Sequence, residues 1–414
     1  MKSISTSKII EVLLIVSAIA LPLFLNVAIG SWILIAAFRL SNAAERNSMS
    51  TNFKLHKLLW MLPLLYLLYL IGLLWTSNFK YAGLDLQIKL TILLLPFIIG
   101  TLNFSPQQIK KVLYGFVGGT FIASVYLLMM SYSVYMETND PLSFFYASLT
   151  SPLMHPTYFG MHVNFTLIIL LAQLGKSKFD LHYLGIKFGL LFFSLMALLI
   201  EARTAQAATL ITVIGMIVFH LLKRNYSAPS IILLLFITFF SLSAQRYLSH
   251  ISNRYALVVS AMESKTQTNQ KKQYDSTTGR IEIWKLAGEV IQDNILLGTG
   301  TGDVRDELVK TYYANDFEYG YSKKLNAHNQ FLQIWATVGI IGILLFVLAL
   351  FLPFLSIKSY PQFLFPMFIL IIALNAMTES TLEVQRGVLF FAFFYSLLVV
   401  GKEIHTLKES QLEV

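Results

Sequence analysis

Long apolar runs separated by short polar segments dominate the pattern of this chain. Many of these runs are roughly 17 to 25 residues long, the length that an α-helix needs to cross a hydrocarbon core of about 30 Å. Short segments with strict alternation of apolar and polar residues, typical of membrane-spanning strands, are absent from the sequence. The pattern therefore predicts an all-α, polytopic membrane protein with about twelve transmembrane helices. The predicted spans cover residues 8–25, 26–38, 57–75, 86–102, 112–132, 157–175, 183–200, 204–222, 228–243, 330–355, 361–378 and 386–401.

One long polar interval, from about Gln245 to Gly342, interrupts this pattern. Within it, apolar residues at helical spacing predict an amphipathic helix from Thr278 to about Asp293, and Asp303 is placed to cap a second helix. The interval is short and rich in helical pattern, so we expect it to lie over the membrane part as a lid. The chain then divides into residues 1–243 with transmembrane helices about 1–9, 244–327 as a long loop, 328–401 with helices about 10–12, and 402–414 as a tail.

The first predicted span has a rival interpretation as a signal peptide. Lys2 and Lys8 precede an apolar run that contains Ala18-Ile19-Ala20, which resembles a cleavage site. Glu11 interrupts that run, however, and apolar residues continue well beyond the candidate site. We therefore favour a retained span, and the predicted orientation of the later helices is the same in either case.

Composition and charge placement agree with a membrane protein. Of the 414 residues, 56% are hydrophobic and only 13% are charged, against about 25% charged residues in an ordinary soluble domain. The formal net charge of +9 does not indicate a nucleic-acid partner, because most of the excess lies in short segments on one side of the predicted membrane. The chain contains no cysteine, which excludes disulfides and thiolate chemistry.

The distribution of Lys and Arg predicts the orientation. Pairs such as Lys110-Lys111 and Lys223-Arg224 lie in segments on the same side as the N-terminus. Segments on that side of a membrane are cytoplasmic, because short cytoplasmic loops carry the excess of basic residues. We therefore expect both termini in the cytoplasm and the polar interval outside. The short outer segments hold only Lys80, Lys89, Arg203 and Arg386.

Three outer residues are candidates for chemistry, each with a structural alternative. Arg203 lies in a short turn between two spans, where a guanidinium either binds an anion or pairs with Glu201 as an interfacial anchor. Arg280 begins the amphipathic helix and either binds an anion or pairs with Glu282. His328 stands at the mouth of a span, where it either accepts a proton from a hydroxyl or serves as a hydrogen-bonded interfacial residue.

Other outer motifs have mainly structural interpretations. His155, followed by Pro156, is placed for a turn or a helix cap. Glu379, Glu383 and Arg386 form a small cluster that either lines a cavity or forms an internal salt bridge. The spacing Gly298-x-Gly300-x-Gly302 lacks the preceding strand that a dinucleotide-binding loop requires, so we interpret these glycines as turn formers. The sequence has no metal-ligand spacing, and we predict no metal site.

Taken in order, these motifs resemble those of a known family. His328-Asn329 followed by Gly339-Ile340-Ile341-Gly342 resembles the histidine motif of the O-antigen ligase and O-antigen polymerase superfamily. His155-Pro156-Thr157-Tyr158 is similar to the family's earlier His-Pro motif, and Ala202-Arg203-Thr204-Ala205 resembles its arginine turn. Arg280, Trp284 and the glycine turn are similar to the family's loop signature. The sequence departs from the family at Ala202, where serine is frequent, and at the acidic Glu201 before it.

The resemblance implies a GT-C-like, metal-independent, inverting glycosyltransferase that needs no cofactor. It implies an undecaprenyl-diphosphate-linked glycan as donor, lipid A-core or a growing glycan as acceptor, membrane lipids as surroundings, and a bacterial inner membrane with the active site facing the periplasm. His328 is then the catalytic base, and Arg203 and Arg280 bind the diphosphate. The further residues expected to line the substrate are His155, Tyr158, Trp284, Asn329, Glu379 and Arg386.

Ligase activity is our principal hypothesis, and several alternatives stay open. A polymerase of the same superfamily and a protein O-oligosaccharyltransferase share the motifs. A polysaccharide transporter or flippase is the alternative of a different class. Transporters typically carry broken helices at corresponding positions of two repeated halves, and the sequence has no such symmetry.

Overall fold

The computed structural model describes residues 6–55, 57–174, 181–200, 206–207, 210–211, 214, 278–352 and 364–412. Over these ranges the chain is helical and contains no strand, which confirms the all-α prediction for that part of the protein. Apart from isolated positions, the spans predicted at 204–222 and 228–243 lie outside the described residues. The polar interval before residue 278 also lies outside them.

Fifteen α-helices are numbered here in chain order for the described ranges. They are α1 Thr6–Ala20, α2 Leu25–Ser41, α3 Ala43–Leu55, α4 Met61–Ile71, α5 Phe79–Ile98, α6 Pro106–Thr138, α7 Tyr146–Thr150, α8 Pro156–Leu174, α9 Leu181–Ile200, α10 Thr278–Asp293, α11 Val304–Ala314, α12 Glu318–Lys323, α13 Gln330–Phe351, α14 Leu364–Ala376 and α15 Gln385–Leu412. Short 3₁₀ turns extend or link them at Lys57–Trp60, Gly72–Trp75, Pro141–Phe144 and Thr381–Glu383.

Several of these helices can cross a membrane. Five in the described ranges are long and apolar enough, or up to six if the bent pair Leu25–Ser41 and Glu45–Phe53 forms one span. The five are Lys57–Trp75, Phe79–Ile98, Pro106–Thr138, His182–Ile200 and Gln330–Phe351. The protein is therefore a multi-pass membrane protein by the length and composition of its helices, and the count of about twelve spans stays a prediction.

The polar segment that follows the second predicted span is helical. Residues 43–55 form α3. Arg39 is fully buried at the junction of α2 and α3. Its Nε lies 3.2 Å from Glu45 Oε2, and its Nη1 donates to the Thr101 hydroxyl at 2.6 Å and to the Ile98 carbonyl at 3.0 Å. These bonds compensate the cost of burying a guanidinium.

Phenylalanine-rich packing places α8, α14 and α15 at the centre of the described helices. Residues 388–400 of α15 are all buried, as are residues 156–172 of α8. Phe165, Phe368 and Phe394 meet with ring centroids 4.7–6.0 Å apart, and Phe116 packs against Phe394 at 4.7 Å. A helix that is apolar on all sides is expected in such a central position.

A break divides α13 in the middle of its apolar run. Val338 and Gly339 leave the helical conformation, and Gly339 has φ 71°. The turn that follows α10 is inserted at this point. The Thr299 and Gly300 N–H groups donate to the Ala336 and Thr337 carbonyls at 2.8 and 3.0 Å, and Ile340 N–H donates to the Ile295 carbonyl at 3.0 Å. The loop therefore supplies hydrogen bonds that the helix loses at its break.

Glycine is required on both sides of this contact. A Cβ on Gly339 would lie 2.0 Å from the Leu296 carbonyl oxygen, and one on Gly298 would lie 2.5 Å from the Thr337 backbone. Both residues also have φ near 70°, a conformation that favours glycine. These glycines are thus turn formers, as their spacing indicates, and they also allow two backbones to touch.

The described part of the polar interval has a small apolar core of its own. Buried side chains of α10 and α11, among them Leu286, Val290 and Leu308, pack with Tyr312 and Phe317. Trp335 of α13 packs against the same core, which therefore rests on the membrane helices.

Asp303 attaches the interval to the turn between α4 and α5. It occupies the N-cap position of α11, but its side chain makes no capping bond there. The carboxylate instead accepts hydrogen bonds from the Ser77 and Asn78 N–H groups, each at 2.7 Å. The predicted helix cap is therefore wrong for the side chain of Asp303, which links two segments far apart in sequence.

Candidate functional site

Glu379 connects two of the candidate residues. One oxygen, Oε1, lies 2.5 Å from Arg280 Nη2, and the other, Oε2, lies 3.1 Å from His328 Nδ1. Glu379 is 8% exposed, so both interactions are shielded from solvent on the carboxylate side. The structure thus brings together a cation, a carboxylate and an imidazole from three separate parts of the sequence.

The entry into α13 fixes the position of His328. This residue has φ 43°, which is uncommon for a non-glycine residue. Its N–H donates to Asn326 Oδ1 at 3.0 Å, and its carbonyl accepts from Trp284 Nε1 at 3.3 Å. Asn329 then caps α13 by accepting from the Phe331 N–H at 2.9 Å.

Asn329 and Trp284 therefore hold the backbone around the imidazole. Besides capping α13, Asn329 donates through Nδ2 to the Met377 carbonyl at 3.1 Å. This bond joins the start of α13 to the segment that carries Glu379. Both residues were predicted to line the substrate, and the structure gives each of them a hydrogen bond within the protein.

Arg280 lies in the first turn of α10. The helix buries Gly279, Ile283 and Ala287, which leaves Arg280 half-buried at its first turn. The alternative suggested by the sequence, an ion pair between Arg280 and Glu282, is wrong. Arg280 instead pairs with Glu379, and the Glu282 carboxylate lies 3.8 Å from Lys285 Nζ.

The charge of Glu379 determines which nitrogen of His328 carries a proton. Burial alone would raise the pKa of the Glu379 carboxyl, but the hydrogen bond from His328 and the charges of His328, Arg280 and His155 lower it below its ordinary value. The carboxylate is therefore ionised at neutral pH and can only accept hydrogen bonds. When the imidazole of His328 is neutral, donation from Nδ1 to this carboxylate leaves Nε2 as the proton acceptor.

His155 stands at the edge of the same site. Desolvation lowers the pKa of its imidazole, the positive charges of Arg280 and His328 add to this effect, and Glu379 opposes it. The residue is exposed, and its Nδ1 accepts a hydrogen bond from the Thr157 N–H at 3.4 Å. That bond agrees with the turn role suggested by the sequence.

Tyr158 lies one helical turn further along α8. It is buried, and its Cε1 lies 3.0 Å from where a Cβ of Gly387 would be. This contact brings α8 against the start of α15. A buried ring leaves little face for a sugar to stack on, so its predicted substrate contact stays a prediction.

A second charged cluster lies beside the first. Lys89, which is fully buried in α5, forms ion pairs with Asp85 and with Glu383, the latter at 3.0 Å. Gln330 donates through Nε2 to Glu383 at 3.4 Å and accepts from the Leu382 N–H at 2.6 Å. The cluster therefore holds the segment after Glu379 against α5 and the start of α13.

Sequence reasoning missed this cluster. Lys89 was counted only as an outer charge, and Asp85 was not considered. A signal was present, because Asp85 and Lys89 stand four residues apart within an otherwise apolar helix. Charges in such a position are costly and are expected to pair.

Glu379, Glu383 and Arg386 do not form ion pairs with one another among the described residues. Glu379 pairs with Arg280 and His328, and Glu383 pairs with Lys89. No ion pair joins Arg386 to either carboxylate within the described residues, and its Nη1 is buried without a hydrogen-bond partner. The predicted internal salt bridge is therefore absent from the described site.

Comparison with known proteins identifies one family. Residues 188–347 match a family model described as O-Antigen ligase. The chain carries an O-antigen ligase family domain. The resemblance inferred from the sequence motifs is thereby confirmed, and the family supports a membrane enzyme of the O-antigen ligase and polymerase type that acts on a polysaccharide or lipid-linked substrate. A search of curated proteins finds no match.

The O-antigen ligase family domain includes some of the candidate residues and leaves others outside. Arg203, Arg280 and His328 lie within the matched residues, whereas Glu379 and Arg386 follow them. Arg203 is also outside the described residues, so its role stays a prediction. The carboxylate that joins Arg280 to His328 is therefore supplied by the chain after the O-antigen ligase family domain.

Proposed function

We propose that this protein is an inverting, metal-independent glycosyltransferase that moves a glycan from an undecaprenyl-diphosphate donor to an acceptor hydroxyl. Lipid A-core is the proposed acceptor, which makes the protein an O-antigen ligase. The observation that carries the proposal is the bridge from Glu379 to both Arg280 and His328 at one end of the membrane helices. The matched family supports the reaction class.

His328 is the proposed general base. As the acceptor oxygen forms a bond to the anomeric carbon, its proton passes to His328 Nε2. The bond from that carbon to the diphosphate oxygen breaks, and undecaprenyl diphosphate leaves with the electron pair. Attack from the side opposite the leaving group inverts the anomeric configuration. Glu379 stabilises the imidazolium that forms, because its carboxylate faces Nδ1.

Arg280 and Arg203 are proposed to stabilise the leaving diphosphate. A guanidinium has five N–H donors, and the described contact of Arg280 with Glu379 uses Nη2. Arg280 therefore retains donors for phosphate oxygens while it remains attached to Glu379. Preorganised cations at the position where negative charge develops lower the barrier to reaction.

A polymerase that extends the glycan is the second candidate, because it would use the same donor and the same base. The two differ only in the acceptor hydroxyl. The family description favours ligation. The active site faces the periplasm in either case, since the orientation inferred from basic residues places the polar interval there.

A genetic experiment tests this function. In a strain that lacks the gene, lipopolysaccharide is separated on a gel after expression of the wild type, His328→Ala or His182→Ala. His328→Ala is expected to abolish capping and to lower the transfer rate by about 10²–10⁴-fold. His182 is an exposed imidazole that contacts Tyr114 and serves as the matched control.

The products distinguish the two candidates. Loss of all capped species with accumulation of lipid-linked polymer supports ligation, whereas survival of single-repeat caps supports polymerisation. Normal capping by His328→Ala at wild-type protein level would refute the assigned base.

A further inference from the structure

Arg386 differs from Arg39, Lys89 and Arg280 in having no carboxylate partner among the described residues. Arg39, Lys89 and Arg280 each form an ion pair with a carboxylate. Arg386 is half-buried, has no ion pair within the described residues, and has a buried Nη1 without a hydrogen-bond partner. An uncompensated charge of this kind is costly, so an anion supplied from outside the protein would stabilise it.

The position of Arg386 in its helix makes the charge more costly still. It is the second residue of α15, and the N-terminal end of a helix carries a partial positive charge. A cation at this end is unfavourable unless a negative group lies nearby. The nearest acids in sequence, Glu379 and Glu383, are held by His328 and Lys89.

Arg386 also lies beside the proposed active site. The adjacent Gly387 leaves space for Cε1 of Tyr158, which would be 3.0 Å from a Cβ at that position. A Cβ on Gly387 would also lie 2.0 Å from the carbonyl oxygen of Thr381, two residues after Glu379. Arg386 therefore lies next to the segment that carries Glu379.

Arg386 differs from the paired cations in its net local charge. The charge of Arg280 is balanced by Glu379, and that of Lys89 is balanced by Asp85 and Glu383. Arg386 contributes a positive charge with no such counter-ion among the described residues. A guanidinium offers a planar fork that matches phosphate oxygens.

We propose that Arg386 binds a phosphate group carried by a membrane lipid at the outer end of α8 and α15. The two sources of this group are the diphosphate of a polyprenyl-linked donor and the headgroup of a phospholipid. The donor source rests on the proposed function, whereas the phospholipid source does not. The side chain is partly exposed, which leaves a route for the phosphate to reach it.

A binding measurement tests the proposal without turnover. The full chain is purified in detergent, and its Kd is measured for farnesyl diphosphate and, separately, for short-chain phosphatidylglycerol. Arg386→Gln is expected to weaken one of the two by about tenfold or more, the size of a lost charge-assisted hydrogen bond. Arg386→Lys should recover part of the loss, because it restores the charge without the fork.

Arg305→Gln is the matched control. Arg305 is another half-buried outer guanidinium, and it stacks on the Tyr81 ring with 5.6 Å to the centroid. Its removal changes the net charge equally and should leave both affinities unchanged. Elution volume and melting temperature establish folding, and the Lys variant provides the test if the Gln variant does not fold.

The outcomes distinguish the donor from a phospholipid as the source of the phosphate, and they test the Arg386 site separately from the proposed function. If Arg386→Gln weakens only the affinity for farnesyl diphosphate, the bound phosphate belongs to the donor. If it weakens only the affinity for phosphatidylglycerol, the bound phosphate belongs to a phospholipid headgroup. Wild-type affinity of the Arg386 variants for both lipids, or an equal loss in Arg305→Gln, overturns the inference. Normal capping by His328→Ala would refute only the proposed function, because the binding measurement requires no turnover.

Discussion

At the scale of single residues, Glu379 has two effects that depend on the same negative charge. It orients the imidazole of His328 through Nδ1 and it holds the guanidinium of Arg280 at the opposite oxygen. Removal of the charge would loosen both partners at once. A stability measurement and an activity measurement on one variant therefore report on the same site.

Glu379→Gln is expected to reduce transfer by about ten- to hundredfold, since charge-assisted hydrogen bonds contribute roughly 1.5–3 kcal/mol. The amide keeps the shape of the side chain but cannot stabilise an imidazolium as a carboxylate does. The rate is measured with purified enzyme and a lipid-linked glycan. A variant with the wild-type rate would show that Nδ1 needs no charged partner.

The stability of the same variant should depend on pH. The pKa of Glu379 is lowered in the folded protein, so its ionised form contributes stability above the ordinary carboxyl pKa. That contribution is lost as the pH falls through the depressed value. The melting temperature of the wild type should therefore exceed that of Glu379→Gln at neutral pH, and the difference should shrink on acidification. A difference that grows at low pH would contradict this sign.

At the scale of elements, the break in α13 and the turn after α10 form one unit. The turn lies between Ile295 and Gly300, and its hydrogen bonds reach residues on both sides of Gly339. His328 precedes this helix and Arg280 begins α10. The joint between the two helices therefore sets the distance between the base and the cation.

Gly339→Ala should disrupt this joint. The new Cβ would lie 2.0 Å from the Leu296 carbonyl oxygen, and the backbone conformation alone costs of order 1–3 kcal/mol for a non-glycine residue. We expect a lower melting temperature together with a loss of transfer.

Gly288→Ala is the control for that substitution. Gly288 lies inside α10, and nothing lies within 4 Å of its Cβ position. Alanine there should be neutral or stabilise by about 1 kcal/mol. Equal melting temperatures for the two variants would show that the backbone contact at Gly339 is unimportant.

At the scale of the whole molecule, the orientation in the membrane can be tested directly because the chain has no cysteine. Lys285 is exposed on α10 and Lys110 is exposed at the start of α6. A membrane-impermeant maleimide should label Lys285→Cys in intact spheroplasts and should label Lys110→Cys only after permeabilisation. The reverse pattern would place the site in the cytoplasm.

Sequence reasoning anticipated the helical elements better than the contacts between them. The apolar runs at 57–75, 183–200 and 330–355 agree closely with described helices, because helix length in a membrane follows from local hydrophobicity. The family was also recognisable from ordered motifs. The role of Glu379 as the link between Arg280 and His328 could not be predicted, because periodicity carries no information about which distant side chains meet. Lys89 was misjudged for the same reason.

The inserted turn also has a consequence for biosynthesis. Residues 295–300 leave the ribosome before α13, yet α13 needs them as hydrogen-bond partners for Ala336, Thr337 and Ile340. The turn must therefore fold back against α13 before the broken helix has its full set of backbone hydrogen bonds in lipid.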